Sequence, residues 1–165
     1  MVKRVRAILN SPTYQDHLDK NSIEEKERPF CRHHFDHLLN VARITYILIL
    51  EEGNPFISRE MSYAAGLLHD IGRWNEYREA IDHAQYSAEL AEPILEDAGF
   101  SKAETGLIKK AIAEHRLKDE PSIHRSPLSL ALSRADSYSR LCYRCEANRD
   151  CNKIDQQPTR DSLQY

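Results

Sequence analysis

The residues best equipped for chemistry lie in the run Leu67-Leu68-His69-Asp70-Ile71-Gly72. An imidazole and a carboxylate stand side by side at the end of an apolar stretch. Ionisable groups buried among apolar ones are costly unless they are paired or bound to a metal. Four other positions repeat the theme. His37 leads a stripe of Val41, Ile44 and Leu48 at helical spacing. His83 opens a segment whose following turns are apolar, and His115 closes the stripe of Ile108, Ala111 and Ile112. Asp136 lies one turn after Leu132. Each is a metal-capable side chain on the inner face of its own helix. That pattern is expected of a metal site in the core of a helical bundle. Nitrogen and oxygen donors of this kind suit Fe, Mn, Zn or Ni.

The elements that must position these groups are helical almost throughout, and no segment alternates with period 2 long enough for a strand. Short helices are expected over residues 4–9 and 14–28, ending before Pro29. A central helix runs from Phe35 to about Glu52, with Leu38, Ala42 and Ile49 on a second apolar stripe. Ser58 caps a helix from Arg59 to about Ile71, after which Gly72 is expected in the left-handed conformation. Asp82 caps a helix from His83 to Ala98 that crosses Pro93, with Gln85 completing a capping box. Ser101 and Glu104 make a second capping box, opening a helix that Pro121 ends. Ser126-Pro127 starts the last helix, read as far as Ala147. The expectation is an all-α, single-domain bundle over 1–165. Its core spans about 30–147, with a helical extension over 1–29 and a loosely ordered tail over 148–165.

Composition narrows the function classes. The 165 residues carry 23 Lys+Arg against 26 Asp+Glu, a net charge of −3, which excludes a generally basic nucleic-acid binder. Mean hydropathy is −0.65, and no apolar run approaches the roughly 18 residues of a membrane span. The basic start Lys3-Arg4-Val5-Arg6 lacks the apolar stretch of a secretory signal. A cytoplasmic location with reduced cysteines is expected. Only five residues are Gly, against eight His, which argues against a turn-rich β protein.

The four cysteines pose a separate question. Cys142, Cys145 and Cys151 read C-x2-C-x5-C, and Cys31 lies far upstream, just before His37. In a reducing compartment this pattern favours metal over disulfide. Structural zinc on all four is the expectation, with an iron–sulfur cluster as an alternative. Two further readings stay open: reactive thiols beside Arg140 and Arg144, or thiols packed as small apolar groups.

Taken together, the motifs resemble the HD-domain superfamily of metal-dependent phosphohydrolases over about residues 30–145. The run from His37 to Val41-Ala42 is similar to the family's first histidine motif, Leu67–Gly72 to its His-Asp motif, and Arg134-Ala135-Asp136 to its closing aspartate motif. The resemblance implies that His37, His69, Asp70 and Asp136 bind one metal, with His33 or His34 the rival to His37. His83 and His115 match the histidines that hold a second metal in a subset of the family, with Asp70 bridging. The implied activity is hydrolysis of a small phosphate mono- or diester, such as a nucleotide, by metal-activated water. Asp70 and Arg73 would carry catalysis, and Arg73, Trp74 and Arg116 would bind substrate, with Lys118 and Tyr77 as weaker candidates. His17 and His124 read as surface residues. The alternatives are an HD-fold di-iron oxygenase and a non-catalytic nucleotide-binding module. Neither a membrane nor a nucleic acid is an expected partner.

Overall fold

The structure is a computed structural model that describes residues 2–117 and 124–165. Its eight α-helices are α1 (Lys3–Leu9), α2 (Pro12–Glu24), α3 (Phe35–Glu51), α4 (Arg59–Leu68), α5 (Arg73–Glu79), α6 (His83–Asp97), α7 (Lys102–Glu114) and α8 (Pro127–Tyr138). Single 3-10 turns follow at 142–144, 148–150 and 154–156, and the described residues contain no strand. Among them no helix is long and apolar enough to cross a membrane.

Local chemistry sets the helix starts. The hydroxyls of Ser11, Ser58 and Ser126 each accept the backbone N–H three residues on, and prolines occupy the first helical position of α2 and α8. Ser101 and Glu104 form a reciprocal capping box. Asp82 caps α6 through the Ala84 and Gln85 N–H groups. The expected box with Gln85 does not form there, because Gln85 Nε2 donates to the Ala113 carbonyl on α7 instead.

Helix α3 is the centre, packed chiefly on α4 and α8, while α6 packs on α7. Leu38, Val41, Ala42, Ile49, Leu67, Leu68, Ile112 and Leu132 are fully buried at the shared core. Each such aliphatic side chain contributes about 1.5–3 kcal/mol on burial. The apolar core is not confined to residues 30–147: Val5, Ile8 and Tyr14 of α1 and α2 are buried in it.

Two glycines set the approach of the elements that carry the chemistry. A Cβ on Gly66 would stand 2.3 Å from the Ala42 Cα, so α3 and α4 touch backbone to backbone. Gly72 is not left-handed as expected, having φ −92°. Its lack of a side chain serves close packing, since a Cβ would meet Tyr86 at 2.9 Å, and its N–H donates to Ser87 Oγ at 2.9 Å.

Four helices end earlier than the sequence predicts: α2 at Glu24 and α7 at Glu114, and also α4 and α8. α4 stops at Leu68, and His69–Gly72 follow in turns. α8 stops at Tyr138 because Ser139 Oγ turns back to the Asp136 carbonyl and Arg140 to the Asp136 carboxylate. Helix α5 was not anticipated at all. Pro121 and Lys118 lie outside the described residues.

Candidate metal centre

The exit from α4 delivers His69 and Asp70 into the middle of the bundle, where both are buried. His37 arrives from the first turn of α3, Asp136 from the last turn of α8, His83 from the start of α6 and His115 from the end of α7. Their donor atoms form two groups, His37/His69/Asp70/Asp136 and Asp70/His83/His115, each gathered within 4.8 Å.

Asp70 belongs to both groups and divides its oxygens between them. Oδ2 lies 3.2 Å from His69 Nε2 and 3.9 Å from His37 Nε2. Oδ1 lies 3.0 Å from His83 Nε2 and 3.7 Å from His115 Nε2. Asp136 Oδ1 completes the first side, 3.2 Å from His37 Nε2 and 3.8 Å from His69 Nε2.

The far side of each ring is held. His69 Nδ1 bonds the Gly66 carbonyl at 2.8 Å and His115 Nδ1 the Ile112 carbonyl at 2.7 Å. A carbonyl only accepts, so both Nδ1 atoms carry hydrogen. Ser139 Oγ contacts His37 Nδ1 at 3.2 Å, and Glu76 Oε2 contacts His83 Nδ1 at 2.6 Å. Such outer contacts orient histidine ligands in metal sites.

The fit to a cation is physical. His37 Nε2, His69 Nε2 and Asp70 Oδ1 are buried without a hydrogen-bond partner, and orphaned buried polar atoms call for an explanation. Burial would lower the basicity of His69, but Asp70 and Asp136 overcome it and raise its pKa to about 10. Burial would raise Asp70 and Asp136, yet the surrounding cations hold both well below the usual carboxylate range. His115, by contrast, is pushed down to about 4, chiefly by burial. The site is a negative field with the imidazole Nε2 atoms turned inward.

His33, the rival to His37, lies close by but is not part of either donor group. It precedes α3, and its Nδ1 is taken by Glu25 Oε1, whose partner oxygen Oε2 accepts the His33 N–H at 2.6 Å. His33 Nε2 lies 3.6 Å from Asp70 Oδ2, nearer than His37 Nε2 at 3.9 Å, yet it does not gather with the rest of the first group. Burial would raise Glu25, but its bonds to His33 and Tyr77 bring it down to about 2. His34 caps the start of α3 and joins neither group. The sequence reading missed Glu25, because nothing distinguishes it within the charged run Glu24-Glu25-Lys26-Glu27.

The other expected site residues divide. Arg73 Nη1 lies 2.7 Å from His83 Nδ1 and 3.1 Å from Glu76, on the second side. Arg116 reaches Glu76 and Asp82, each at 3.0 Å, and is exposed. Trp74 is turned away from its expected substrate role. Its ring stacks on His17 at 6.1 Å and meets Tyr86 edge-on, and its Nε1 donates to His17. His17 is therefore buried rather than on the surface, whereas His124 is exposed. Tyr77 accepts from Arg73 Nε and donates to Glu25, which braces the arginine. The cysteine sulfurs do not make a third group within 4.8 Å. Cys31, Cys142 and Cys145 do line one cavity of about 260 Å³ beside His37.

An all-helical fold in which two histidine sets face one aspartate is an arrangement that could hold a metal ion in the core. Residues 34–141 match the HD domain, and the chain belongs to that family. An uncharacterized protein of Clostridium beijerinckii is 37% identical over 149 residues, covering 90% of this chain and 91% of its own. The crystal structure of a predicted HD superfamily hydrolase from an uncultured Thermotogales bacterium is similar in fold, with a TM-score of 0.56 and 25% identity. That match covers 75% of this chain and 66% of the other, just under two thirds of its length.

Proposed function

We propose that this protein is a metal-dependent hydrolase that cleaves a small phosphate mono- or diester, of the nucleotide class. The observation that supports this most directly is Asp70, with one oxygen on each histidine set. His37, His69, Asp70 and Asp136 would hold one ion, and Asp70, His83 and His115 a second. When bound, such ions lower the pKa of water from 15.7 to about 7 and polarise phosphoryl oxygens.

The chain's own groups do the remaining work. Arg73 and Arg116 stand on the second side only, so the anionic substrate would enter there. Arg73 is the stronger contact because Tyr77 and Glu76 hold its guanidinium fork in place. Glu76 orients His83, and Ser139 orients His37. In this reading the protein works in the cytoplasm, where its unpaired cysteines stay reduced.

The test is a panel of nucleotides and bis-p-nitrophenyl phosphate, assayed with Mn, Fe, Ni, Zn and Co. Metal-dependent release of phosphate or nitrophenol is the expected result. Silence with every metal would refute the reading, and turnover that consumes dioxygen would point to the oxygenase chemistry instead.

A further inference from the structure

The end of the chain lacks what holds the rest together. From residue 141 onward it forms only three one-turn 3-10 helices. Within 141–165 just Cys142 and Thr159 are buried, while Leu141, Tyr143, Leu163 and Tyr165 stay exposed. Ordering a backbone costs roughly 1–2 kcal/mol per residue, and so small an apolar interior does not offset it. Small units without a core are ordinarily held by disulfides or metal. All four cysteines are free thiols, and none is exposed.

The turns of this segment are nonetheless knit around its cysteines. The Cys145 N–H donates to the Cys142 carbonyl at 3.1 Å, the Asn148 N–H to the Cys145 carbonyl at 3.2 Å, and the Cys151 N–H to the Asn148 carbonyl at 3.3 Å. Cys142, Cys145 and Cys151 thus mark successive corners. Tyr143 N–H donates to the Thr159 carbonyl and folds the last stretch back over the first.

Cys31 reaches the same place from the other end of the chain. It lies before α3, yet it lines one cavity with Cys142 and Cys145. Burial raises the Cys142 thiol, and its neighbours Cys31 and Cys145 add to that. Arg140 and Arg32 also line the cavity, and Arg140 faces Cys31 as well as Asp136. Thiols crowded in this way are costly to ionise alone, but thiolates are the preferred ligands of zinc and of iron–sulfur clusters. Cationic neighbours suit the excess negative charge of four thiolates.

We propose that Cys31, Cys142, Cys145 and Cys151 form a four-thiolate metal centre that pins the C-terminal segment to the helical core. It adjoins the His/Asp site, since His37 and Arg140 line the same cavity, but it uses none of that site's donors and does not rest on the hydrolase reading. A tetrahedral zinc would draw the four sulfurs to about 3.8 Å from one another, and an iron–sulfur cluster takes the same four thiolates. The two sources share the ligand chemistry, and the experiment separates them.

The full chain is purified without oxygen or added metal, and zinc, iron and acid-labile sulfide are counted in wild type, Asp70→Ala and Cys145→Ser. The expected result is a metal complement that survives in Asp70→Ala and is lost in Cys145→Ser. One zinc without sulfide identifies an ion, and iron with matching sulfide and a brown colour identifies a cluster. Native wild-type thiols are titrated in parallel, so the test stands even if Cys145→Ser misfolds. They are expected to react slowly until the metal is extracted. Four thiols reacting at once with no metal released would overturn the proposal, as would cysteines recovered as disulfides.

Discussion

The two sides of Asp70 are built differently. On the first side the chain supplies two carboxylates and two imidazoles, with Arg140 bonded to Asp136 at 2.8 Å. On the second side Asp70 is the one carboxylate ligand, the imidazoles are His83 and His115, and the next residues out are Arg73, Glu76 and Arg116. The first side is closed by protein charge and fits an ion held for structure and acidity. The second side has one carboxylate ligand fewer and has Arg73 and Arg116 nearby, against Arg140 on the first, which favours an anion from outside. In the proposed reading, holding falls to one side and substrate contact to the other.

The largest effect should come from the residue that both sides share. Asp70→Ala should abolish metal on both sides and reduce turnover by about a thousand-fold or more, while the helical circular dichroism signal persists. Metal analysis and a phosphatase assay check this together. Equal turnover in the variant would dissolve the comparison.

Single-side variants come next. His37→Ala and Asp136→Ala should remove the first ion, and His83→Ala and His115→Ala the second, each taking the His/Asp site from two ions to one. Loss of all metal in His83→Ala would mean that the sides are not separable. Glu76→Gln should be milder, weakening metal on the second side by about 10–100-fold. Isothermal titration of metal into the variant checks that value.

Protonation distinguishes the sides in solution. With its metal-free pKa raised to about 10, His69 carries a proton at neutral pH that the ion must displace. First-side affinity should therefore climb as pH rises from 6 toward 10, approaching about tenfold per unit. His115, lowered to about 4, is already neutral there and adds no such slope to the second side. Titrations at several pH values in Asp136→Ala and His83→Ala would separate the slopes.

The smallest effects belong to the arginines. Arg73→Ala should raise KM more than it lowers kcat, by about tenfold. The exposed Arg116, shared between Glu76 and Asp82, should cost less.

Legibility in the sequence follows the same division. His69 and Asp70 are adjacent and flanked by apolar residues, and the other ligands head or close apolar stripes, so periodicity alone places them inside. The choice between His33 and His37 is not legible, because four residues apart is the same helical face. In the structure α3 begins at Phe35, after His33, and Glu25 engages the His33 ring, which favours His37. Trp74 reads as a pocket residue beside Arg73, yet packing against His17 on α2 takes it elsewhere. Helix α8 reads through to Ala147 because no Gly or Pro stops it. Its end coincides with long-range contacts, Ser139 Oγ against His37 Nδ1 and the Tyr143 N–H given to the Thr159 carbonyl.

The shared aspartate is tested most directly by anomalous diffraction from crystals grown with excess Mn. The account predicts two peaks about 3.5–4 Å apart, with Asp70 Oδ2 on one and Oδ1 on the other. His37, His69 and Asp136 would complete the first, and His83 and His115 the second. A single peak with His83 and His115 turned away, or two peaks that do not share Asp70, would contradict it.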